Sequence, residues 1–422
     1  MPCTLLGRHG DVKDAAGTAP SNLRTEQATK NLRLPPISVR KAAKQATTHV
    51  ELEQGPVTVS ALTSKKGVLP AHAIRQLLEL GVVTTSRPLD VDQIQPASLD
   101  LRLGEVAYRV RASFLPGPRA TVADRLRELS LHTVSLEQGA VLETGCVYIV
   151  PLLESLALPE GIYAMANPKS STGRIDVFTR IITDHAREFD KLAPGYSGPL
   201  FAEISPRTFP VLVRTGSRLA QIRFRSGVPT ASDAATLRLN EQDPLLSSTR
   251  IDIDNGVGLS VDLHGGDDSP IIGYRAKRHS ALIDVDRKAA LEIADYWEPI
   301  HRCRSLILDP DEFYILASKE AVKVPPTHAA EMVPFNPLVG EFRVHYAGFF
   351  DPGFGHASGQ GEGSRAVLEV RSHEVPFILE DGQIVGRLIY EPLTEAPEQV
   401  YGQGIGSHYQ RQGLKLSKHF RQ

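Results

Sequence analysis

Phe201-Ala202-Glu203-Ile204 is a short apolar run carrying one carboxylate, and 166 residues later it returns as Val367-Leu368-Glu369-Val370. Runs this short, with branched side chains, suit strands better than helices. The surroundings obey the same offset. Tyr148 returns as Tyr314, Pro159 as Pro325, Gly216 as Gly382 and Phe224 as Tyr390. Asn167-Pro168 returns as Asn336-Pro337 at an offset of 169, which asks for a three-residue insertion. This self-similarity predicts a tandem duplication of one β-rich domain.

Further runs fit that plan. Leu99–Leu103, Cys146–Leu153, Val211–Val213 and Leu219–Phe224 read as strands of the first copy. Leu306–Ala317, Phe377–Leu379 and Ile384–Tyr390 read as strands of the second. Ile74, Leu77 and Leu78 form one stripe at helical spacing between Pro70 and a capping Gly81, so a helix is predicted there. Another helix is expected between Tyr274 and Trp297. The domain plan is an extension over 1–66, a first repeat over 67–231, a polar connector over 232–270, a second repeat over 271–395 and a closing tail over 396–422.

Composition narrows the function. The 422 residues are 41% hydrophobic and 23% charged, an ordinary globular balance. Lys and Arg (47) nearly cancel Asp and Glu (49), so no global field favours nucleic acid or a membrane surface. No run of eighteen apolar residues could cross a bilayer, and the N-terminus lacks the apolar core of a secretory signal. The first fifty residues hold eight Lys/Arg against three Asp/Glu without periodicity, and read as a mobile tail or a basic arm. Three widely spaced cysteines fit a reducing cytosol, and the expected location is cytoplasmic. His49-Val50-Glu51 matches half of the zinc deaminase signature, but its P-C-x-x-C half is missing. Chemistry without zinc is expected.

Four segments carry the chemistry. Gln95-Pro-Ala-Ser-Leu-Asp-Leu-Arg-Leu-Gly104 alternates as a half-buried strand, and its Asp100 and Arg102 can be a solvated pair or part of a site. Asn167-Pro-Lys-Ser-Ser-Thr-Gly-Arg174 gathers hydroxyls, two cations and a glycine, which suits phosphate oxygens as well as a plain polar loop. Val344-His-Tyr-Ala-Gly-Phe-Phe-Asp-Pro-Gly-Phe-Gly355 holds a turn, with Phe349, Phe350 and Phe354 free to stack on a base or fill a core. Glu203 and Glu369 sit in apolar strands. Burial there would raise a carboxyl pKa towards neutrality, as a general base requires, unless a cation pairs with it.

In this order, with the tail Tyr401-Gly-Gln-Gly-Ile-Gly-Ser-His-Tyr-Gln-Arg-Gln412-Gly, the segments resemble the dCTP deaminase branch of the dUTPase-like superfamily, in its long two-domain bacterial form. The resemblance spans about Val68 to Ser417. It implies a mainly β fold, with tandem duplicated dUTPase-like distorted β-barrel or jelly-roll domains and a few short helices. It also implies hydrolysis of dCTP to dUTP and ammonia, without zinc and with Mg2+ accompanying the triphosphate. The expected partners are dCTP and dUTP, with no nucleic acid or membrane, in a homo-oligomer with sites between domains.

Carried onto this chain, the resemblance makes Lys169, Ser170, Ser171 and Arg174 contacts of the triphosphate and catalytic loop. Asp351 would hold the 3′-hydroxyl, Val367 would touch substrate, and Glu369 would be the general base, with Glu203 as a second candidate. Tyr401, His408 and Gln412 would close over the nucleotide, His408 standing where a lysine is usual. The repeats depart from the pattern in complementary ways. The first hairpin reads Leu-Ala193-Pro-Gly-Tyr without the aspartate, and the second phosphate segment, Asn336-Pro-Leu-Val-Gly-Glu-Phe-Arg343, lacks the serine pair. One composite site is therefore expected, with Ser170 and Arg174 facing Asp351 and Glu369. A dUTPase, a bifunctional enzyme forming dUMP, and a non-catalytic nucleotide-binding regulator are the alternatives.

Overall fold

The computed structural model describes residues 58–227, 232–248, 250–265, 270–333, 348–356, 363–372, 374–402 and 413–421, and the backbone of 342–344. Strands dominate. In the first half one sheet runs in the order Val177–Thr183, Ser197–Pro206, Val147–Ala157, Val106–Val110, Ser130–Ser135. A second runs Lys191–Leu192, Ile162–Pro168, Ala220–Ser226, Ser98–Leu101, Ile94–Gln95.

The second half repeats this order. Phe342–Val344, Ser364–Ser372, Tyr314–Val322, Ile271–Ala276 and Trp297–His301 form one sheet. Phe349–Phe350, His328–Val333, Ile384–Pro392 and Val257–Ser260 form the other. Register repeats too: Glu203 lies opposite Ile149, and Glu369 opposite Ile315. A one-residue slip would turn every buried side chain outward, so the shared apolar pattern holds both copies to one register. Val150, Ala202 and Ile222 of the first core are matched by Leu316, Leu368 and Leu388 of the second. Each large aliphatic buried this way contributes about 1.5–3 kcal/mol.

The helix Ala71–Glu79 buries Ile74 and Leu77 as its spacing predicts, and Gly81 follows its cap at φ +70°. Two expectations change. The stretch from Tyr274 to Trp297 contains only the four-residue helix Ile293–Tyr296, between strands. Charges at Arg275, Lys277, Arg278, Asp286, Arg287 and Lys288 deny it a continuous apolar stripe. The stretch read as a connector holds the helix Asp233–Gln242 and the strand Val257–Ser260, which pairs with Ile384–Pro392. Its polar composition masks an alternation of buried Val257, Leu259, Val261 and Leu263.

Among the contacts that join the halves, two stand out. Phe209 of the first packs edge-on against Trp297 of the second at 5.5 Å, with Tyr296 and Phe420 beside them. Buried Arg225 donates to Glu391 at 2.6 and 3.0 Å and to Glu331 at 2.7 Å. Arg225 and Glu391 are themselves 166 residues apart, so the same position of the two repeats meets itself across the seam with opposite charge.

Candidate active site

A cavity of about 450 Å3 opens between the halves. Its first-half wall begins where the strand Ile162–Pro168 ends. Lys169 donates its N–H to the Leu219 carbonyl, and its own carbonyl accepts from Thr172 and Gly173, winding Ser170–Gly173 into one helical turn. That turn sets Lys169, Ser170, Ser171 and Arg174 on the cavity. The Lys169 ammonium is paired with Asp100 beneath it. Asp100 and Arg102 part company: Arg102 Nε donates to Glu154 at 2.8 Å, while Asp100 faces the cavity.

The opposite wall comes from the second half. Asp351-Pro352-Gly353-Phe354 is a type II turn, closed by the Phe354 N–H on the Asp351 carbonyl at 3.0 Å, with Gly353 at φ +89° where that turn needs positive φ. Gly355 follows at φ +65°, and a Cβ there would stand 2.0 Å from the Val322 carbonyl oxygen. The turn sets Asp351 into the cavity, 3.3 Å from buried Arg223. Burial pushes the Asp351 carboxyl up, against the pull of Arg223. Val367 and Glu369 reach the cavity from the strand Ser364–Ser372. Tyr401 reaches it by resting its ring on Phe354 at 5.6 Å, with its N–H on the Pro352 carbonyl.

Glu369 and Arg174 meet across the seam at 4.0 Å. Burial raises the Glu369 carboxyl to about 8; Arg174 draws it down and Asp176 adds to the rise. This pair joins the two halves of the predicted composite site. His408 and Gln412 lie outside the described residues. Glu203 is a correction. It is buried away from the cavity, accepting from Arg180 at 2.5 and 3.1 Å, and that guanidinium stacks on the rings of Phe189 and Phe178. The cation anticipated as its structural alternative is there.

Sequence reasoning missed Arg218, Lys288 and Lys418, all on the cavity. Arg218 is held by Asp90 at 2.6 Å and Asp92 at 2.8 Å. These cations lie in three separate polar stretches, and no local pattern marks them out; only the fold brings them together.

Comparison with known proteins identifies relatives of both halves. Residues 65–228 match the family model of the 2'-deoxycytidine 5'-triphosphate deaminase N-terminal domain, and 232–420 that of its C-terminal domain. A dUMP-forming dCTP deaminase of Dictyoglomus thermophilum is 26% identical over 197 residues, 44% of this chain and 96% of that protein. A dCTP deaminase of Haloarcula marismortui is 31% identical over 160 residues, 37% of this chain and 79% of that one. The crystal structure of the 2'-deoxycytidine 5'-triphosphate deaminase from Agrobacterium tumefaciens is 62% identical, with a TM-score of 0.75, covering 78% of this chain and 99% of that chain.

Proposed function

The chain belongs to the 2'-deoxycytidine 5'-triphosphate deaminase family, and from that premise we propose how its cavity deaminates dCTP. The carrying observation is the Glu369–Arg174 pair, which sets a buried carboxyl from one repeat against the serine-rich turn of the other. Water needs a base to attack C4 of cytosine. Glu369 takes the proton as the C4–O bond forms and delivers it to the amino group as the C4–N bond breaks, so dCTP and water give dUTP and ammonia. A carboxyl with a pKa of about 8 can both accept and return a proton near neutral pH. Arg174 holds the carboxylate, Ser170 orients the reacting groups, and Lys169 and Ser171 take phosphate oxygens. Asp351 takes the 3′-hydroxyl, and Val367 and Tyr401 flank the nucleotide. His408 and Gln412 complete the closure.

The chemical step runs without zinc in this proposal. Its support is the sequence, which has no CxxC to pair zinc ligands. Mg2+ arrives with the triphosphate. Each repeat is a dUTPase-like distorted jelly roll, and the chain self-associates in the cytoplasm; both belong to the same proposal. Among the described residues no helix is long and apolar enough to cross a membrane.

Purified protein with dCTP and Mg2+, followed for ammonia and pyrophosphate together, tests the reading. Ammonia alone is expected. Ammonia with pyrophosphate would make the enzyme dUMP-forming, the reading that the Dictyoglomus thermophilum relative favours. Release of neither would overturn both.

A further inference from the structure

Beyond the tail that carries His408 and Gln412, the chain returns to the site. In Gly413–Arg421, Leu416 and Phe420 are buried in the core of the first half. Ser417 Oγ donates to the Ser171 carbonyl at 2.8 Å, and Arg174 donates to the Lys415 carbonyl at 3.0 Å. The Ala289 N–H donates to the Lys418 carbonyl at 2.9 Å, and Leu291 bridges to Phe420 in parallel. The segment is thus clamped between the serine-rich turn and residues 285–291, and this places the Lys418 side chain on the cavity beside Lys169 and Lys288.

We propose that Lys418 is a phosphate ligand, and that the docked segment Gly413–Arg421 makes the enzyme select a triphosphate over shorter phosphate chains. The inference rests on reading the cavity as the dCTP site. Lys169, Lys288 and Lys418 bring three ammonium groups to the cavity, with Asp100 and Asp286 offsetting part of their charge, and the cluster favours a polyanion. The charged groups around Lys418 are Lys169, Lys288, Asp100 and Asp286, whereas those around Glu369 are Arg174 and Asp176. Ser417, next to the lysine, bonds the serine-rich turn read as the phosphate contact, so the lysine serves the phosphate end of the nucleotide. Burial, then Lys169 and Lys288, hold the Lys418 ammonium down to about 8, with Asp100 and Asp286 pulling the other way. His419, next in the chain, is held down to about 4 by burial and bonds to Val285, so it adds no charge near neutrality. A bound phosphate chain would therefore relieve Lys418 directly.

The test compares the full-length wild type with Lys418→Met, Lys418→Gln and Lys418→Arg. Ammonia release from dCTP and dCDP is measured, with binding of inorganic tripolyphosphate by calorimetry. Lys418→Met and Lys418→Gln should raise KM for dCTP roughly ten-fold or more, as loss of a charge-assisted hydrogen bond does, and KM for dCDP much less. Lys418→Arg should restore dCTP affinity. Wild-type KM for dCTP should rise as pH passes about 8 and Lys418 loses its proton, and the arginine variant should carry that rise to higher pH, while the pH dependence of kcat, set by Glu369, stays the same in both. Equal changes for dCTP and dCDP, or unchanged tripolyphosphate binding, would overturn the proposal. Should the wild type release no ammonia, the reading of the site fails, while tripolyphosphate binding still decides the role of Lys418.

Discussion

At the scale of single residues, two glutamates in the same register have opposite surroundings. Glu203 is neutralised by Arg180, and Glu369 is buried with Arg174 at 4.0 Å. Glu369→Gln should reduce turnover about 10²–10⁴-fold, the usual worth of a general base. Stability should move the other way. The folded-state pKa of Glu369 is raised from 4.5 to about 8, so its contribution is full at pH 4 and is lost as pH rises through 8. Glu369→Gln should therefore match the wild type in thermal unfolding near pH 4 and exceed it near pH 9, by on the order of a few kcal/mol. Glu203→Gln should do the reverse, leaving kcat near wild type and lowering Tm, because Arg180 loses its counter-charge; roughly 1–3 kcal/mol is expected. A large loss of kcat in Glu203→Gln with none in Glu369→Gln would move the base to the first repeat and overturn its assignment to Glu369.

Elements explain how much of this was legible in the sequence. The strand pair around Glu203 and Glu369 could be read because alternation, turn residues and the 166-residue offset are local signals that both copies carry. Asp351 could be read because Asp-Pro-Gly dictates its own turn. Lys288 and Lys418 could not, since each lies in a polar segment whose place is decided by distant aromatic packing of Tyr296, Trp297 and Phe420. The strand Val257–Ser260 was hidden by glycine and serine at its alternate positions. The turn that presents Asp351 also yields a prediction. Gly355→Ala adds a Cβ 2.0 Å from a backbone oxygen at positive φ, so the hairpin must shift. Unfolding should come several degrees lower, and kcat/KM for dCTP should drop about ten-fold or more, as small misplacements of binding groups do. Wild-type kinetics in this variant would show that the hairpin does not position the sugar.

For the whole molecule, the cavity lies between the repeats and both supply its walls. Arg225 with Glu391 and Glu331 is buried at the seam, so Arg225→Met leaves two carboxylates without their cation and should cost about 3–5 kcal/mol in chemical denaturation. Exchanging the pair in Arg225→Glu/Glu391→Arg should recover part of that loss, since the two positions are equivalent in the repeats. A double variant no better than the sum of the singles would show that the contact carries no coupling.

The opposite charges at this one repeated position also bear on ancestry. Two identical repeats meeting in the same way would set arginine against arginine, or glutamate against glutamate, at this position. The contact is directional: the arginine of the first repeat complements the glutamate of the second. Such a polarity needs two different sequences, and a duplicated chain supplies both in fixed proportion. It makes the return to a symmetric, single-repeat enzyme a step that no one substitution can accomplish.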